Sequence, residues 1–369
     1  MGYHQKVGLP ELKNNNENIL GGRKMQALVW KNGKELCLEE RPEPKIISEN
    51  DVVIKIKYTG ICGTDLQVVK GNETIVPDII MGHEAVGEIV EKGKGVTEYK
   101  IGDMVLIDPN QYCCDCDYCK RGLTNFCTGY NGGLKIAGIN IDGTFAEYFA
   151  CHKRYIYKIP QGVSLEAAVL IEPMACVLNN LRAADIKEHE SVLVMGSGPM
   201  GALCQMIAKN NAGFVAATEN SEYRREECAK FCDWILSSDE LTVEEIRKRN
   251  NGRLFDVIID TVGNQLENAL TLCEKSGRII PMGMNKVYSC NVKPYQFISM
   301  GIKLVGASEY NMLFNDTIEA ARRYPELASI VTGKYAITDY VQAFNDILGY
   351  NMESGDRKEI RQMKAVFEF

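Results

Sequence analysis

A short run of glycines at positions 196–201 restricts the fold of this chain more than any other feature of its sequence. In VLVMGSGPMGALCQMIAKNN an apolar stretch typical of a buried strand leads into the glycines, and a helix-like stretch follows. This is the context in which Gly-x-Gly-x-x-Gly joins a strand to a helix against a dinucleotide pyrophosphate. Glycine is needed for the tight turn, for close approach of the pyrophosphate and for close helix–strand packing. The predicted cofactor-binding residues of the turn are Gly196, Gly198, Pro199, Met200 and Gly201.

The strand after this helix, GFVAATEN, ends in the acidic residue Glu219. It lies about 20 residues beyond the turn, where a carboxylate binds the ribose 2′-hydroxyl and repels a 2′-phosphate. Arg224 and Arg225 follow within about one helical turn and would suit a 2′-phosphate, although they also fit an exposed helix face. The acidic strand end decides the matter, and we predict NAD rather than NADP.

Strands and helices alternate through residues 178–312, as in FDVIIDTVG, QLENALTLCEK and GRIIPMG. Such alternation predicts βαβ units and a doubly wound parallel sheet, which is a Rossmann domain. Residues 25–177 instead contain short β-branched runs such as DVVIKIKYTG, and residues 313–369 mix helix and strand. We therefore predict an α/β chain whose NAD-binding domain, 178–312, is inserted in a β-rich catalytic domain, 25–177 and 313–369. Residues 1–24 are polar and Asn-rich and are predicted to form an extension.

Residues 112–128 hold five of the chain's 14 cysteines. Four of them keep the spacing C-x2-C-x2-C-x7-C: Cys113, Cys116, Cys119 and Cys127. Four thiolates can surround a zinc ion tetrahedrally and leave no open position, so this lobe is predicted to hold a structural zinc. Ferredoxin runs have similar spacing but continue C-x3-C-P, whereas Thr128 follows the last cysteine here, so zinc is favoured over an iron–sulfur cluster. Cys114 is interpreted as a bystander.

A second set of metal-binding side chains is spread along the chain. GICGTD contains Cys62, GHE contains His83 and Glu84, and LIEP contains Glu172. A thiolate, an imidazole and a carboxylate are the ligands that zinc takes when one position stays open for catalysis. Zinc at a substrate hydroxyl acts as a Lewis acid and lowers the pKa of that hydroxyl, which favours loss of hydride to a neighbouring dinucleotide.

These motifs occur together and in a fixed order, with GHEAVGEIVEKG, GDMV, GTFAEY and GSGPMG. From Met25 to the C-terminus the chain resembles the zinc-dependent medium-chain alcohol dehydrogenases. Glu84 beside His83, and Glu172 before Pro173, resemble the polyol (sorbitol) and threonine dehydrogenase branch. The resemblance implies a GroES-like catalytic domain, NAD, and two zinc ions per chain, one catalytic and one structural.

The resemblance also implies roles for single residues. Cys62 and His83 would bind the catalytic zinc together with either Glu84 or Glu172. Thr64 matches the hydroxyl that passes the substrate proton toward solvent, and Arg224 matches a basic residue that flanks adenine. Threonine dehydrogenases carry His where this chain has Gln67, and glutamine does not titrate, so threonine is disfavoured as the substrate.

Glu309 and Tyr310 align with the Arg-Tyr pair that lines the substrate pocket of sorbitol dehydrogenases. A carboxylate there would repel phosphorylated polyols and favour an amino group, unless Glu309 faces solvent. We therefore predict hydride transfer from a secondary hydroxyl of a polyol, sugar alcohol or amino-polyol to NAD. One alternative is a threonine or other amino-alcohol dehydrogenase, and an alternative of another class is a non-catalytic NAD-binding regulator.

The net charge of −7 argues against a nucleic-acid partner. No apolar run is long enough to span a bilayer, and the N-terminal residues lack the apolar centre of a secretory signal. We predict a cytoplasmic enzyme with a small-molecule alcohol substrate. Because relatives assemble through the strand matching IKLVGAS and through the zinc lobe, the resemblance implies a homodimer or homotetramer.

Overall fold

The computed structural model describes residues 23–130, 133–352 and 354–369. Residues 1–22, which make up nearly all of the predicted polar extension, lie outside the described part of the chain. The strands are β1 (Lys24–Lys31), β2 (Glu35–Pro42), β3 (Asp51–Gly60), β4 (Glu84–Lys92), β5 (Met104–Ile107), β6 (Asn110–Gln111), β7 (Lys135–Ile136), β8 (Tyr148–His152), β9 (Ile156–Lys158), β10 (Ser191–Met195), β11 (Phe214–Thr218), β12 (Trp234–Leu236), β13 (Phe255–Asp260), β14 (Cys273–Pro281), β15 (Lys303–Leu304), β16 (Val331–Ala336) and β17 (Lys364–Glu368).

Helices fill most of the space between these strands in the second half of the chain. The α-helices are α1 (Gly63–Val69), α2 (Asp117–Lys120), α3 (Leu165–Ala168), α4 (Ile171–Ala184), α5 (Pro199–Lys209), α6 (Glu222–Cys228), α7 (Val243–Arg249), α8 (Leu266–Leu272), α9 (Pro294–Met300), α10 (Phe314–Ala321) and α11 (Tyr340–Leu348). No helix of the described residues is both long and apolar enough to cross a membrane.

One sheet is parallel throughout, with the strand order β12-β11-β10-β13-β14-β15. All five residues of β10 are buried, as expected for a central strand of a parallel sheet covered on both faces. Strands β11 and β12 follow on one side of β10, whereas β14 and β15 follow on the opposite side, beyond β13. That reversal leaves a crevice at the carboxyl ends of these two strands, where ligands of doubly wound folds bind. The predicted Rossmann sheet is confirmed.

The other large sheet has the order β16-β17-β3-β4-β5-β9, with β8 also paired to β3. Its strands are antiparallel except for the parallel pair of β16 and β17. Phe145 and Phe367 meet edge to face in its core, with 5.1 Å between ring centroids. The late strand β17 lies against the early strand β3, so the β-rich unit closes only when both parts of the chain combine.

The helix-like segment before β10 is divided into α3 and α4. Pro173 is the third residue of α4, where its missing N–H costs nothing, since that group would have no partner within the helix. Its ring is incompatible with a helix that continues through the carbonyl of Val169, so α3 has to end near this point. As a result, Glu172 lies in the first turn of a new helix.

Candidate functional site

Three of the predicted metal ligands lie together at the inner end of a cleft. Cys62 immediately precedes α1, His83 immediately precedes β4, and Glu84 begins that strand. Their ligand atoms all lie within 4.8 Å of one another. His83 Nδ1 and Glu84 Oε1 are buried and have no hydrogen-bond partner in the part of the chain that the structure describes. Buried nitrogen and oxygen atoms that lack hydrogen bonds are suited to bind a metal ion, and metal binding would offset the cost of their burial.

Asp65, which the sequence analysis did not assign to the site, lies beside Cys62 and His83. Its Oδ2 accepts a 2.8 Å hydrogen bond from the Cys62 backbone N–H, and its Oδ1 lies 4.0 Å from His83 Nδ1. Burial raises the pKa of Asp65, although His83 opposes that shift. Burial lowers the pKa of His83, but Cys62 and Asp65 together hold it well above its usual value. A carboxylate beside a metal-binding imidazole orients the ring.

Glu84 is paired with a lysine that the sequence analysis also missed. Lys364 is only 3% exposed and forms an ion pair with Glu84. Strand register brings the two side chains together. Gly60 of β3 lies opposite Glu84 of β4 on one side and opposite Val366 of β17 on the other, and Lys364 is two residues before Val366 on β17. Burial lowers the pKa of Lys364, but Glu84, Cys62 and Asp65 together outweigh burial, so the pKa is raised.

The fourth predicted ligand, Glu172, lies outside the group of three. Burial raises the pKa of Glu172 to about 8, and Glu84 adds to the shift while His83 opposes it. Glu172 is therefore close enough to feel the charges of the metal group. Thr64 is also close, because the Cys62 Sγ–H donates to its Oγ1 at 3.8 Å.

The cysteine lobe forms a second compact group, in which the four predicted sulfur ligands lie within 4.8 Å of one another. Backbone N–H groups point at these sulfurs: the Cys116 N–H donates to Cys113 Sγ at 3.2 Å, for example. Hydrogen bonds from the Cys119 and Thr128 backbones lower the pKa of Cys116 to about 6, which favours the thiolate that zinc requires, whereas burial raises the pKa of Cys119 to about 12. Cys114 is exposed and instead accepts from Arg154 at 3.1 Å.

The predicted dinucleotide turn lies at the carboxyl end of β10. Gly196 has φ +92°, a conformation that side chains disfavour. A Cβ on Gly201 would overlap the Gly196 carbonyl oxygen, so both positions require glycine. Gly198 caps α5, with Pro199 and Met200 in the first turn.

Glu219 is held rigidly beside this turn. Its two oxygens accept 2.9 Å hydrogen bonds from the backbone N–H groups of Ser197 and Ser221. Arg224 lies next to Gly198 and is largely buried, and its Nε has no hydrogen-bond partner among the described residues. Burial lowers the pKa of Arg224, while Glu219 opposes that shift. The Glu219 carboxylate and the Arg224 guanidinium thus lie on either side of the cleft at the glycine turn, one as a hydrogen-bond acceptor and the other as a donor.

One cavity of about 440 Å³ joins the dinucleotide turn to the metal group. Its walls include Cys62 and Glu84 from the β-rich unit and Gly198, Glu219 and Arg224 from the parallel-sheet unit. Lys364 also lines it. A dinucleotide bound on the glycine turn can therefore extend one end to the metal group without leaving the cleft.

The two predicted pocket residues differ in their surroundings. Tyr310 is buried, and its hydroxyl donates to Asp108 Oδ1 at 2.9 Å. Burial raises the pKa of Asp108 to about 7. Glu309 is only partly buried, and its Oε2 accepts from Asn110 Nδ2 at 3.5 Å. Burial raises the pKa of Glu309, and the charge of His83 opposes this shift.

Two family models match the chain. The alcohol dehydrogenase GroES-like domain matches residues 48–161, and the zinc-binding dehydrogenase domain matches residues 199–325. The first covers much of the β-rich unit, and the second covers most of the parallel-sheet unit.

Three relatives extend the match. A sorbitol dehydrogenase of Halalkalibacterium halodurans is 28% identical over 84% of this chain and 92% of its own length. The L-galactonate-5-dehydrogenase of Escherichia coli K12 is 35% identical over 71% of this chain and 77% of its own. The L-threonine 3-dehydrogenase of Pyrococcus furiosus is 35% identical over 68% of this chain and 73% of its own.

A solved structure has the same architecture. A short chain alcohol dehydrogenase of Escherichia coli CFT073, complexed with NADH, superposes with a TM-score of 0.83 at 26% identity. The match covers 94% of this chain and 100% of the other.

The family models and the relatives together show that the chain belongs to the zinc-dependent medium-chain alcohol dehydrogenase family, in its polyol and threonine dehydrogenase branch. It is an oxidoreductase that uses zinc and a nicotinamide dinucleotide.

Proposed function

We propose that this enzyme transfers hydride from a secondary hydroxyl of a polyol, sugar alcohol or amino-polyol to NAD. The observation that carries the proposal is the single cleft lined by Cys62, Glu84 and the glycine turn. The sorbitol dehydrogenase relative supports a polyhydroxylated substrate. The threonine dehydrogenase relative supports the second candidate, an amino alcohol. Gln67 weighs against threonine itself, because threonine dehydrogenases carry a histidine at this position and an amide cannot transfer protons as a histidine does.

Cys62, His83 and a glutamate would hold the catalytic zinc. Glu84 fits by position, since its carboxylate lies with the other two ligands. Glu172 is the alternative ligand, since its carboxyl is buried and its pKa responds to the charges of His83 and Glu84. A zinc ion bound there supplies a Lewis acid that lowers the pKa of the substrate hydroxyl. The Thr64 hydroxyl would pass the substrate proton on toward solvent, and the cysteine lobe would hold the structural zinc.

The proposed division of the chain into domains follows the two sheets. Strands β10–β15 fall within 178–312, the proposed NAD-binding domain, and the strands of the larger β-rich sheet fall within 25–177 and 313–369.

We also propose a homodimer or homotetramer. Strand β15 is at the edge of its sheet, and a partner could pair with it. Tyr295 and Ile298 of α9 are 73% and 80% exposed, and Phe126 of the zinc lobe is 47% exposed. Large exposed apolar side chains are candidates for burial in a protein interface. A cytoplasmic location is supported by the chain's 14 cysteines, all of which are free thiols.

The direct test is a substrate panel with the zinc-loaded enzyme. We expect sorbitol, xylitol or an amino-polyol to give NADH with NAD, and we expect about two zinc ions per chain by elemental analysis. NADH formation would be followed by absorbance. Best turnover on a phosphorylated polyol, or on a primary alcohol such as ethanol, would contradict the proposed substrate class.

The choice of NAD over NADP rests on Glu219. We expect Glu219→Ser to raise the ratio of kcat/KM for NADP to that for NAD by roughly 10–100-fold, since it removes repulsion of a 2′-phosphate and a hydrogen bond to the ribose. Arg224 and Arg225 would then be free to pair with that phosphate. Steady-state kinetics with both cofactors measure the ratio, and Glu222→Ser on the exposed side of α6 is the matched control. An unchanged ratio would refute this role of Glu219.

A further inference from the structure

A second, smaller cavity of about 180 Å³ lies beside the cofactor cleft. Gln67 and Val262 line both cavities, so the smaller one, which we call the side cavity, continues from the larger. The β-rich unit contributes Lys70 and Glu73 to its walls, and the parallel-sheet unit contributes residues 284–287. The side cavity is therefore a gap between the two units that opens off the cofactor cleft.

An ion pair crosses this gap. Lys286 Nζ donates to Glu73 Oε1 at 2.6 Å. Glu73 belongs to the β-rich unit, and Lys286 follows 213 residues later, in the parallel-sheet unit. Burial raises the pKa of Glu73, but Lys286 and the Thr74 backbone N–H together outweigh burial, so the pKa is lowered and the carboxylate is charged at neutral pH. The pair thus joins the two units by opposite charges.

The Glu73 end of the pair is attached to one wall of the cofactor cleft. Glu73 follows α1, the helix that starts directly after Cys62, and its backbone N–H donates to the Gln67 carbonyl at 3.2 Å. Asn72 Nδ2 donates to Gln67 Oε1 at 2.9 Å, which fixes the same turn a second time. A movement of Glu73 is therefore transmitted to α1 and to a residue that lines the cleft.

The Lys286 end is attached to the other wall, in the loop that follows β14. The Gly283 backbone N–H donates to the carbonyl of Asp260, the last residue of β13, at 2.8 Å. Asn285 Oδ1 accepts from the Val287 backbone N–H at 3.2 Å, which closes a turn around Lys286. Lys286 is thus carried by the carboxyl edge of the parallel sheet, the edge at which dinucleotides bind.

We propose that the Glu73–Lys286 ion pair is a latch that holds the cleft closed over the bound dinucleotide and slows its release. The inference rests on the proposed binding of the dinucleotide at the glycine turn, but not on which alcohol is oxidised. A cofactor that extends from this turn to the metal group lies between the two units, and it leaves when they move apart. That movement widens the side cavity and separates the two charges. Lys70 lines the side cavity as well, but it belongs to the same unit as Glu73 and so cannot replace Lys286 as a latch.

The test measures NADH release by stopped-flow fluorescence, after the enzyme–NADH complex is mixed with excess NAD. Because an exposed ion pair contributes little energy, Lys286→Met and Glu73→Gln should each speed release by about 3–5-fold. Lys286→Glu should speed it by about tenfold, since it places two carboxylates together. The exchanged pair, Glu73→Lys with Lys286→Glu, should return the rate to within about twofold of wild type. Lys248→Glu, the same change at an exposed lysine whose ion pair stays within α7, should leave the rate unchanged.

Glu73→Gln distinguishes a latch from direct binding of the cofactor by Lys286. If Lys286 held a phosphate of the dinucleotide, loss of Glu73 would free that lysine and slow release, and exchange of the two charges would not restore the rate. Either result refutes the latch. Raising NaCl from about 0.05 to about 0.5 M should speed release from wild type more than from Lys286→Met, because salt screens the ion pair. Equal salt responses would also refute the latch.

These measurements need no substrate, so failure of the latch and failure of the proposed function are distinguishable. If NADH release follows these expectations while no polyol or amino alcohol is oxidised, the latch is upheld and the proposed function is not. If a polyol is oxidised but all variants release NADH at the wild-type rate, the latch is refuted and the proposed function stands. If the enzyme binds no NADH, both are refuted.

Discussion

Cys62→Ala should reduce turnover by at least about a thousandfold while leaving the fold intact. Loss of a thiolate from a three-ligand zinc site removes the Lewis acid, and several kcal/mol of barrier lowering goes with it, at about 1.4 kcal/mol per factor of ten. The side chain is only partly buried, so its loss leaves a small cavity. Steady-state kinetics, zinc content and thermal unfolding would be measured on the same preparation.

The matched control is Cys37→Ala, which changes a partly buried thiol on β2. It should keep full turnover and about two zinc ions per chain, whereas Cys62→Ala should keep about one. NADH should still bind to Cys62→Ala, because the glycine turn is untouched. Full turnover by Cys62→Ala would show that the catalytic metal group is wrongly assigned.

Cys116→Ala should act on stability instead. Removing one of four thiolates costs the structural zinc, and with it about 3–5 kcal/mol of the free energy of unfolding, because zinc binding is coupled to folding. At about 2–4 °C per kcal/mol for a chain of this size, the Tm should fall by roughly 10 °C. Differential scanning calorimetry measures the change, and turnover by the folded fraction at low temperature should persist.

Cys114→Ala tests the same lobe with a thiol that lies outside the sulfur group. Cys114 is exposed, and its contact is with Arg154 rather than with the four sulfurs. We expect its Tm to stay within about 2 °C of wild type, in keeping with the small effects of most surface substitutions. A Tm loss equal to that of Cys116→Ala would mean that the lobe is held by packing rather than by its metal.

Local patterns predicted the parts of the site whose residues are close in sequence. The glycine turn and its flanking strand and helix lie within about 20 residues, and the sulfur ligands are similarly close, so spacing alone fixes their geometry. Strand β12 was not predicted, because a strand of three residues is too short to show an alternating hydrophobic pattern. The combined motifs also favoured an enzyme over a non-catalytic regulator, and membership of the dehydrogenase family confirms this.

Contacts between distant segments were not predictable. Lys364 pairs with Glu84 only because β17 joins β3, and nothing near either residue in the sequence indicates that pairing. The same is true of Asn125 at Glu309 and of Tyr310, which was predicted to line the pocket but whose hydroxyl bonds Asp108. The sequence motifs identified Glu84, Glu172 and Glu219, but they did not indicate Asp65 or the partner that each carboxylate contacts.

The position of Lys364 also determines when this catalyst can mature during synthesis. The ribosome must release the whole inserted nucleotide-binding unit before β17 becomes able to pair with β3. Until then Glu84 has no buried cation beside it, and the early β-strands wait with an unfilled edge. Such long-range pairing is slow, and it leaves the early strands prone to association with other chains until β17 arrives.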